Sequence, residues 1–309
     1  MIVTLTVNPA IDQTVTADRL VFDDRAYILA KGEAAGGRGI NSSSVIHSFG
    51  GKTLAIVTAG GVTGEQFKSL LGRFSFPVQF VPIQSDIRIN LTITDKHGLS
   101  VKLNEAGPAL SAAELSKVEQ TVKARLPKAD WLMLCGSLGP GVPPDFYARL
   151  IEMAQQQGVM TLLDTDGEPL LLGLEAKPTV VSPNQQEAER LLNRALLTRG
   201  HFLEAAERIQ QMGAQSVVLS LGARGAIGVL GDRVWEAIPP RVDVLSPIGA
   251  GDALAAAFVW ARRRKKEFWE ALRWGVAAGT ASAKLPGVTL ASLDQTKEIY
   301  KLVEVKPVK

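Results

Sequence analysis

Short apolar runs alternate with stretches of helical periodicity along most of this chain. Residues 53–59, 131–135, 159–163, 179–181 and 216–221 are near-continuous apolar segments of strand length, the pattern of strands covered on both faces. Amphipathic helices lie between them. The clearest spans residues 112–126, where Ser111 and Glu114 make a capping box and Leu115, Val118, Val122 and Leu126 form one stripe. Pro143-Pro144 opens another, with Phe146, Leu150 and Met153 on one face. The alternation predicts an α/β fold: a central, mostly parallel sheet flanked by helices on both sides, with ligand sites at the carboxyl ends of its strands.

Two stretches break this rhythm. Residues 11–34 and 78–103 carry short alternating segments, among them Ile89-Asn90-Leu91-Thr92-Ile93-Thr94 and Ser100-Val101-Lys102-Leu103, parted by Lys96-His97-Gly98. They predict a small β-sheet lid over the main sheet, within one domain covering residues 1–309. A small antiparallel sheet with one apolar face is marginal alone, so that face is expected to pack on the main domain or on a second subunit. The chain has neither internal repeats nor low-complexity segments.

Composition removes several function classes. With 309 residues, 46% apolar and 21% charged, the chain can bury a full core. A net charge of +3 is too small to suggest nucleic-acid binding. The basic run Arg262-Arg263-Arg264-Lys265-Lys266 falls where a helix should end, and reads as a solvated helix terminus. A lone Cys135 precludes an internal disulfide, and the chain carries no charged-then-apolar leader and no apolar run approaching 18 residues. A cytoplasmic protein without membrane partners is expected. The three histidines, His47, His97 and His201, are scattered, so neither a protein-built zinc site nor a Ser/His/Asp triad is in prospect. The chemistry must rest on carboxylates, cations and backbone.

Pro247-Ile248-Gly249-Ala250-Gly251-Asp252, running into an apolar helix, is the most specific motif. Its glycines remove β-carbons that would hold an anion away, and the free amides of a first helical turn point at negative charge. Asp252 would then face a bound phosphoryl group as the base for an attacking hydroxyl; the plainer alternative is an acidic first turn behind a glycine turn. Other phosphate motifs fail on spacing. Ile46 stands where a Walker motif ending at Gly51-Lys52-Thr53 needs glycine, and Leu254 where a dinucleotide fingerprint needs it.

Four further clusters accompany it. Val7-Asn8-Pro9-Ala10-Ile11-Asp12 ends a strand in a carboxylate suited to neighbouring sugar hydroxyls, or in a turn cap. Gly36-Gly37-Arg38-Gly39-Ile40-Asn41 couples a glycine turn to a helix start and adds a cation and an amide. Pro183-Asn184-Gln185-Gln186-Glu187 puts Asn184 and Glu187 three apart on a new helix, able to orient the water shell of Mg²⁺ or simply to form an exposed acidic first turn. Ser220-Leu221-Gly222-Ala223-Arg224-Gly225 leaves a strand in a turn suited to a nucleotide, or in a plain hairpin into residues 226–230.

These five motifs, in this order, resemble the PfkB family of ribokinase-like carbohydrate kinases over nearly the whole chain. Within it the chain is most similar to the minor 6-phosphofructokinase branch, through Ser220-Leu221-Gly222, Asp166-Gly167-Glu168, Cys135-Gly136-Ser137-Leu138 and Asp294-Gln295-Thr296-Lys297-Glu298-Ile299-Tyr300. The resemblance implies Asp252 as base, the amides of Gly249, Ala250 and Gly251 as anion hole, and Asn184 with Glu187 at the Mg²⁺ hydration shell. It implies sugar contacts from Asp12, Gly37, Asn41 and Ser137, and nucleotide contacts from Asn184, Ser220, Gly222, Gly225 and Thr280. Arg25, Arg38 and Arg88, with Asn90, fall on stretches the family uses around a phosphorylated sugar, and arginine suits bidentate phosphate contact. Three positions depart from the pattern: Pro247 where relatives carry Thr or Ser, Arg38 where Lys or Gly is commoner, and Gly139 where Pro is usual.

The expected activity is therefore ATP- and Mg²⁺-dependent phosphorylation of a ketohexose phosphate, foremost fructose 6-phosphate to fructose 1,6-bisphosphate, a glycolytic step. A monovalent cation such as K⁺ and a homodimer through the lid are further expectations of the resemblance. The alternatives are a 1-phosphofructokinase or tagatose-6-phosphate kinase, a kinase for an unphosphorylated sugar or nucleoside, and a catalytically silent sugar-phosphate sensor.

Overall fold

The computed structural model describes residues 1–21 and 23–308; Phe22, inside the expected first lid segment, lies outside them. The chain opens with β1 (Ile2–Thr6), β2 (Ala10–Ala17), β3 (Ile28–Gly36), α1 (Arg38–Ser48), β4 (Thr53–Gly60), α2 (Gly61–Leu71) and β5 (Val78–Ile83). There follow β6 (Arg88–Asp95), β7 (Ser100–Asn104), α3 (Ala112–Arg125), β8 (Trp131–Cys135), α4 (Phe146–Gln155), β9 (Met160–Asp164), α5 (Gly167–Glu175) and β10 (Val180–Val181). The last third holds α6 (Gln185–Leu192), α7 (Arg199–Gln211), β11 (Ser216–Ser220), β12 (Ala226–Leu230), β13 (Arg233–Ile238), α8 (Ala250–Arg263), α9 (Phe268–Ala283), α10 (Leu293–Leu302) and β14 (Glu304–Pro307).

The main sheet has ten strands in the order β14-β13-β12-β11-β10-β9-β8-β1-β4-β5. β5 through β11 pair in parallel, and β12, β13 and β14 extend the edge antiparallel. β1 and β8 are buried at every position, which is why they read as unbroken apolar runs. Their period-2 alternation nevertheless sorts side chains to two cores: Val3, Leu5, Leu132 and Leu134 to one, Ile2, Trp131, Met133 and Cys135 to the other. Burial pushes the Cys135 thiol up, as suits an inert core position.

The connections leaving β1 run both ways: β4 and β5 lie on one side of it and β8 to β11 on the other. Such a reversal opens a crevice at the carboxyl end of β1. Helix α8 reaches that crevice with its amino end. Its residues Ala253, Leu254, Ala255, Ala256, Ala257, Phe258, Val259, Trp260 and Ala261 are all buried, so the helix is apolar all round because it is enclosed. Two glycines of α9 allow the close approach, since a Cβ at Gly275 would lie 2.9 Å from the Leu254 carbonyl oxygen and one at Gly279 2.9 Å from that of Ala250.

Two expectations shift. Val78–Ile83, assigned to the lid by its alternation, pairs with β4 at the edge of the main sheet, so the second small-sheet segment begins at Arg88. The small sheet is β3-β2-β6-β7, with β2 and β6 parallel and the outer pairs antiparallel. Asp12 does not end β1 but is the third residue of β2, in register with Asn90. The small sheet is two-faced. Asp12, Arg88 and Asn90 alternate onto one side, while Val15, Leu91, Ile93, Val101 and Leu103 lie in register on the other.

Other expectations hold closely. The Ser111–Glu114 capping box is present at α3, and its stripe Leu115, Val118, Val122 and Leu126 is buried. Arg262 and Arg263 close α8. Among the described residues no helix is long and apolar enough to cross a membrane.

Candidate active site

The crevice collects what the strands and helix starts bring to it. Gly249, at φ +76°, is the left-handed residue that caps α8 and turns the amides of its first turn outward. Nothing lies within 4 Å of where a Cβ on Gly251 would project, so the backbone there faces open space large enough for an anion to approach. Asp252 follows in the first turn, half-buried, and accepts a 2.7 Å hydrogen bond from Asn41 Nδ2 of α1. Burial, reinforced by the charge of Asp164, pushes its carboxyl up to about 7 against the Asn41 hydrogen bond and the field of Arg38. A carboxyl poised there can take a proton from a hydroxyl at neutral pH.

The small sheet lies near enough to this helix start for the charge of Asp12 to act on Asp252. Asp12 accepts a 2.9 Å hydrogen bond from Asn90 Nδ2 across the parallel β2–β6 pair. A Cβ at Gly36 would fall 2.2 Å from Asp12 Oδ2, so the carboxylate owes its position to that glycine. Burial raises the Asp12 carboxyl, with Asn90 and Arg88 opposing. Arg88 sits half-buried at the start of β6, donating from Nη2 to the Asn8 carbonyl at 3.0 Å and from Nη1 to that of Glu105 at 3.2 Å. Ser137, just past β8, brings its hydroxyl 3.5 Å from Arg88 Nη2 and from Asn8 Nδ2. Four buried polar atoms here lack a partner among the described residues: Thr6 Oγ1, Asn8 Oδ1, Arg88 Nε and Asn90 Oδ1. Donors and acceptors left buried and unpaired in one crevice need a ligand or water to satisfy them.

Gly37, at φ +148°, caps α1 against Thr6, and the first residue of that helix, Arg38, turns toward two acids. Its Nη1 lies 2.8 Å from Asp164 Oδ1 and its Nη2 3.0 Å from Glu187 Oε1. Asn184 and Glu187 are the two halves of a capping box at α6, which explains their spacing: Asn184 Oδ1 accepts from the Glu187 amide and Glu187 Oε2 from that of Asn184. Glu187 is buried rather than exposed, and burial raises its carboxyl against the pull of Arg38. No group of three or more His, Cys, Asp or Glu among the described residues could hold a metal directly. The oxygens of Asn184 and Glu187 are of the hard type that suits the hydration shell of Mg²⁺, an ion that keeps most of its waters.

The nucleotide-side candidates lie next along the sheet. A parallel bridge joins Asn184 to Ser220, placing the ends of β10 and β11 side by side. From Ser220 the chain turns through Gly222–Arg224 into β12, in the hairpin that was the plainer reading. Gly225, at φ +93°, packs so closely that a Cβ would sit 1.9 Å from the Ala237 carbonyl oxygen. Thr280, half-buried on α9, follows the glycine that touches Ala250 at the start of α8.

Arg25 is not brought into this group. It is exposed in the connection between β2 and β3, and its side chain makes no hydrogen bond or ion pair with a described residue. Asp164, Asn8 and Thr6 were missed in the sequence. Asp164 carried a usable signal, a carboxylate ending an apolar strand, the same argument that singled out Asp12. Pro247 places its hydroxyl-bearing neighbour inward: Ser246 is buried, and its Oγ accepts the Ile248 amide at 3.3 Å.

The family model of the pfkB family carbohydrate kinases matches residues 6–295. The chain belongs to that family. Among members with a known activity, ATP-dependent 6-phosphofructokinase isozyme 2 of Escherichia coli (strain K12) is 34% identical over 302 residues, covering 97% of each chain. A 1-phosphofructokinase of Vibrio cholerae is 27% identical over 304 residues, 98% of this chain and 96% of its own. The crystal structure of Escherichia coli phosphofructokinase-2 in complex with potassium superposes with a TM-score of 0.90, covering 97% of this chain and 98% of that one at 34% identity. As a pfkB kinase, the chain has the ribokinase-like fold that the motif order implied.

Proposed function

We propose that this pfkB kinase transfers the γ-phosphoryl group of ATP to the C1 hydroxyl of fructose 6-phosphate, giving fructose 1,6-bisphosphate. The observation that carries the reading is Arg88, a half-buried cation whose Nε is buried and unpaired beside the Asp12–Asn90 pair. A kinase of a free sugar has no use for a cation desolvated at that rim, whereas a sugar phosphate supplies the anion it lacks. Asp12, Asn90, Gly37, Asn41 and Ser137 meet the sugar hydroxyls, and Arg88 the 6-phosphate. Asp252 receives the proton of the attacking hydroxyl while the amides of Gly249, Ala250 and Gly251 hold the transferred phosphoryl group.

ATP lies along Ser220, Gly222, Gly225 and Thr280, beside Asn184. Mg²⁺, bound with the nucleotide, neutralises phosphate charge, and Asn184 and Glu187 hold its waters. A monovalent cation such as K⁺, named in the potassium complex of the Escherichia coli relative, belongs near the anion hole on backbone carbonyls. Arg25, exposed in the β2–β3 connection, is given no contact with the sugar phosphate in this arrangement. The reaction is assigned to the cytoplasm on the strength of a single, buried cysteine.

The test is ADP release with Mg-ATP across fructose 6-phosphate, fructose 1-phosphate, tagatose 6-phosphate, fructose and ribose. Turnover is expected on fructose 6-phosphate above the others. Turnover confined to fructose or ribose overturns the role of Arg88, and binding in calorimetry without turnover makes the chain a sensor.

We also propose a homodimer through the outer face of the small sheet. Leu103 and Val101 there, on the edge strand β7, are 55% and 42% exposed, an apolar surface that water disfavours. Light scattering should give twice the chain mass, and Leu103→Lys should halve it; a monomeric wild type would remove the proposal.

A further inference from the structure

Arg38 spans the crevice from the first turn of α1 to two acids on different elements. It holds Asp164, at the end of β9, and Glu187, in the first turn of α6, by separate nitrogens at 2.8 and 3.0 Å. The Asp164 and Glu187 side chains are only 8% and 2% exposed, against 33% for Arg38. Two carboxylates so buried and so near each other repel strongly unless a cation lies between them. Arginine's rigid fork meets the two with separate nitrogens, whereas lysine would have to bring both carboxylates to one shorter-reaching nitrogen.

A hydrated divalent cation, drawn to oxygen ligands, would be attracted by the same two carboxylates. We propose that Arg38 is a built-in counter-ion that competes with free divalent metal for Asp164 and Glu187, so that the nucleotide-free protein excludes metal and receives it with the nucleotide phosphates. This rests on the reading of Asn184 and Glu187 as the metal-facing pair. Arg38 is on this view a positioning residue: it fixes the two carboxylates before any ligand arrives, and it yields part of its hold when phosphates and metal enter together. The substitution most informative about it removes the charged head and keeps an unbranched apolar stem.

The experiment uses Mn²⁺ alone, added to the nucleotide-free protein, with the loss of the aqueous Mn²⁺ paramagnetic resonance signal reporting binding. Wild type should bind weakly. Arg38→Met should bind roughly 10- to 100-fold more tightly, because one unit of positive charge has left the carboxylates. The double variant Arg38→Met with Glu187→Gln should lose that gain. Arg38→Lys, which keeps the charge but lacks the reach and fork of the guanidinium, should fall between wild type and Arg38→Met, and decides the matter should Arg38→Met fail to fold by circular dichroism. Equal Mn²⁺ affinity in wild type and the folded Arg38 variants overturns the proposal, as does a gain that survives Glu187→Gln. Because neither sugar nor turnover enters this measurement, its failure is distinct from failure of the kinase assignment, which the substrate panel decides.

Discussion

Asp252→Asn should lower kcat by roughly 10²- to 10⁴-fold, the range for loss of a positioned general base, while KM for the sugar phosphate changes little. The same substitution should make the protein more stable. Burial and the nearby Asp164 hold the Asp252 carboxyl at about 7 in the folded chain, whereas an unfolded aspartate titrates near about 3.9. Between those values the native state binds more protons than the unfolded one, so the contribution of Asp252 to stability falls as pH rises through this window and is lost above about 7. Asparagine has no such charge to desolvate, and its carbonyl can still accept from Asn41. The variant should therefore melt at a higher temperature than wild type at pH 8, with a gap that closes toward about pH 4. In the wild type, kcat/KM for the free enzyme should rise with pH and level off above about 7, the value at which Asp252 becomes the free base. A pH-independent kcat/KM, or an Asp252→Asn variant with wild-type kcat, would remove Asp252 from the chemistry.

The second large effect is expected at Arg88. Charge-assisted hydrogen bonds contribute roughly 1.5–3 kcal/mol each, so Arg88→Ala should raise KM for fructose 6-phosphate by about 10- to 100-fold with a smaller change in kcat. Arg88→Lys should recover part of the loss, since it restores the charge but not the fork. Truncation also leaves the Asn8 and Glu105 carbonyls without their donor, and a denaturant melt will register that as a modest loss of stability. The discriminating readout is the comparison of substrates: any residual turnover of free fructose should be the same in wild type and Arg88→Ala. An equal loss on both sugars would mean that Arg88 holds the strands rather than the substrate phosphate.

How much of this was legible in the sequence depended on the range of the interactions involved. β8 was readable to the residue, because a strand covered on both faces leaves an unbroken apolar run whatever its neighbours are. The capping box at Ser111–Glu114 was readable because both partners lie within one turn, whereas the one at Asn184–Glu187 has the same spacing and was read only as a pair of side chains on one helix face. Val78–Ile83 was misplaced for the opposite reason: as an edge strand of the main sheet it is half-exposed, and its alternation is that of a small two-faced sheet. Within the site, Asp252 and the glycines around it declared themselves through local geometry. The pairing of Arg38 with Asp164 and Glu187 joins positions 126 and 149 residues apart, and nothing local to Arg38 distinguishes a guanidinium facing a sugar phosphate from one facing two acids.

The two-faced small sheet has a consequence for how this enzyme can change. Asp12, Arg88 and Asn90 ride on strands that contribute nothing to the ten-stranded sheet, while Asp252 and the anion hole are clamped to the body through the glycine contacts between α8 and α9. On the proposed function, the sugar contacts of Asp12, Arg88 and Asn90 are thus carried by a different mechanical part from phosphoryl transfer, while those of Gly37, Asn41 and Ser137 stay with the main body. Substitutions in the small sheet can redirect the enzyme to another acceptor while the main body is inherited intact, so acceptor choice is free to drift within a lineage whose chemistry stands still.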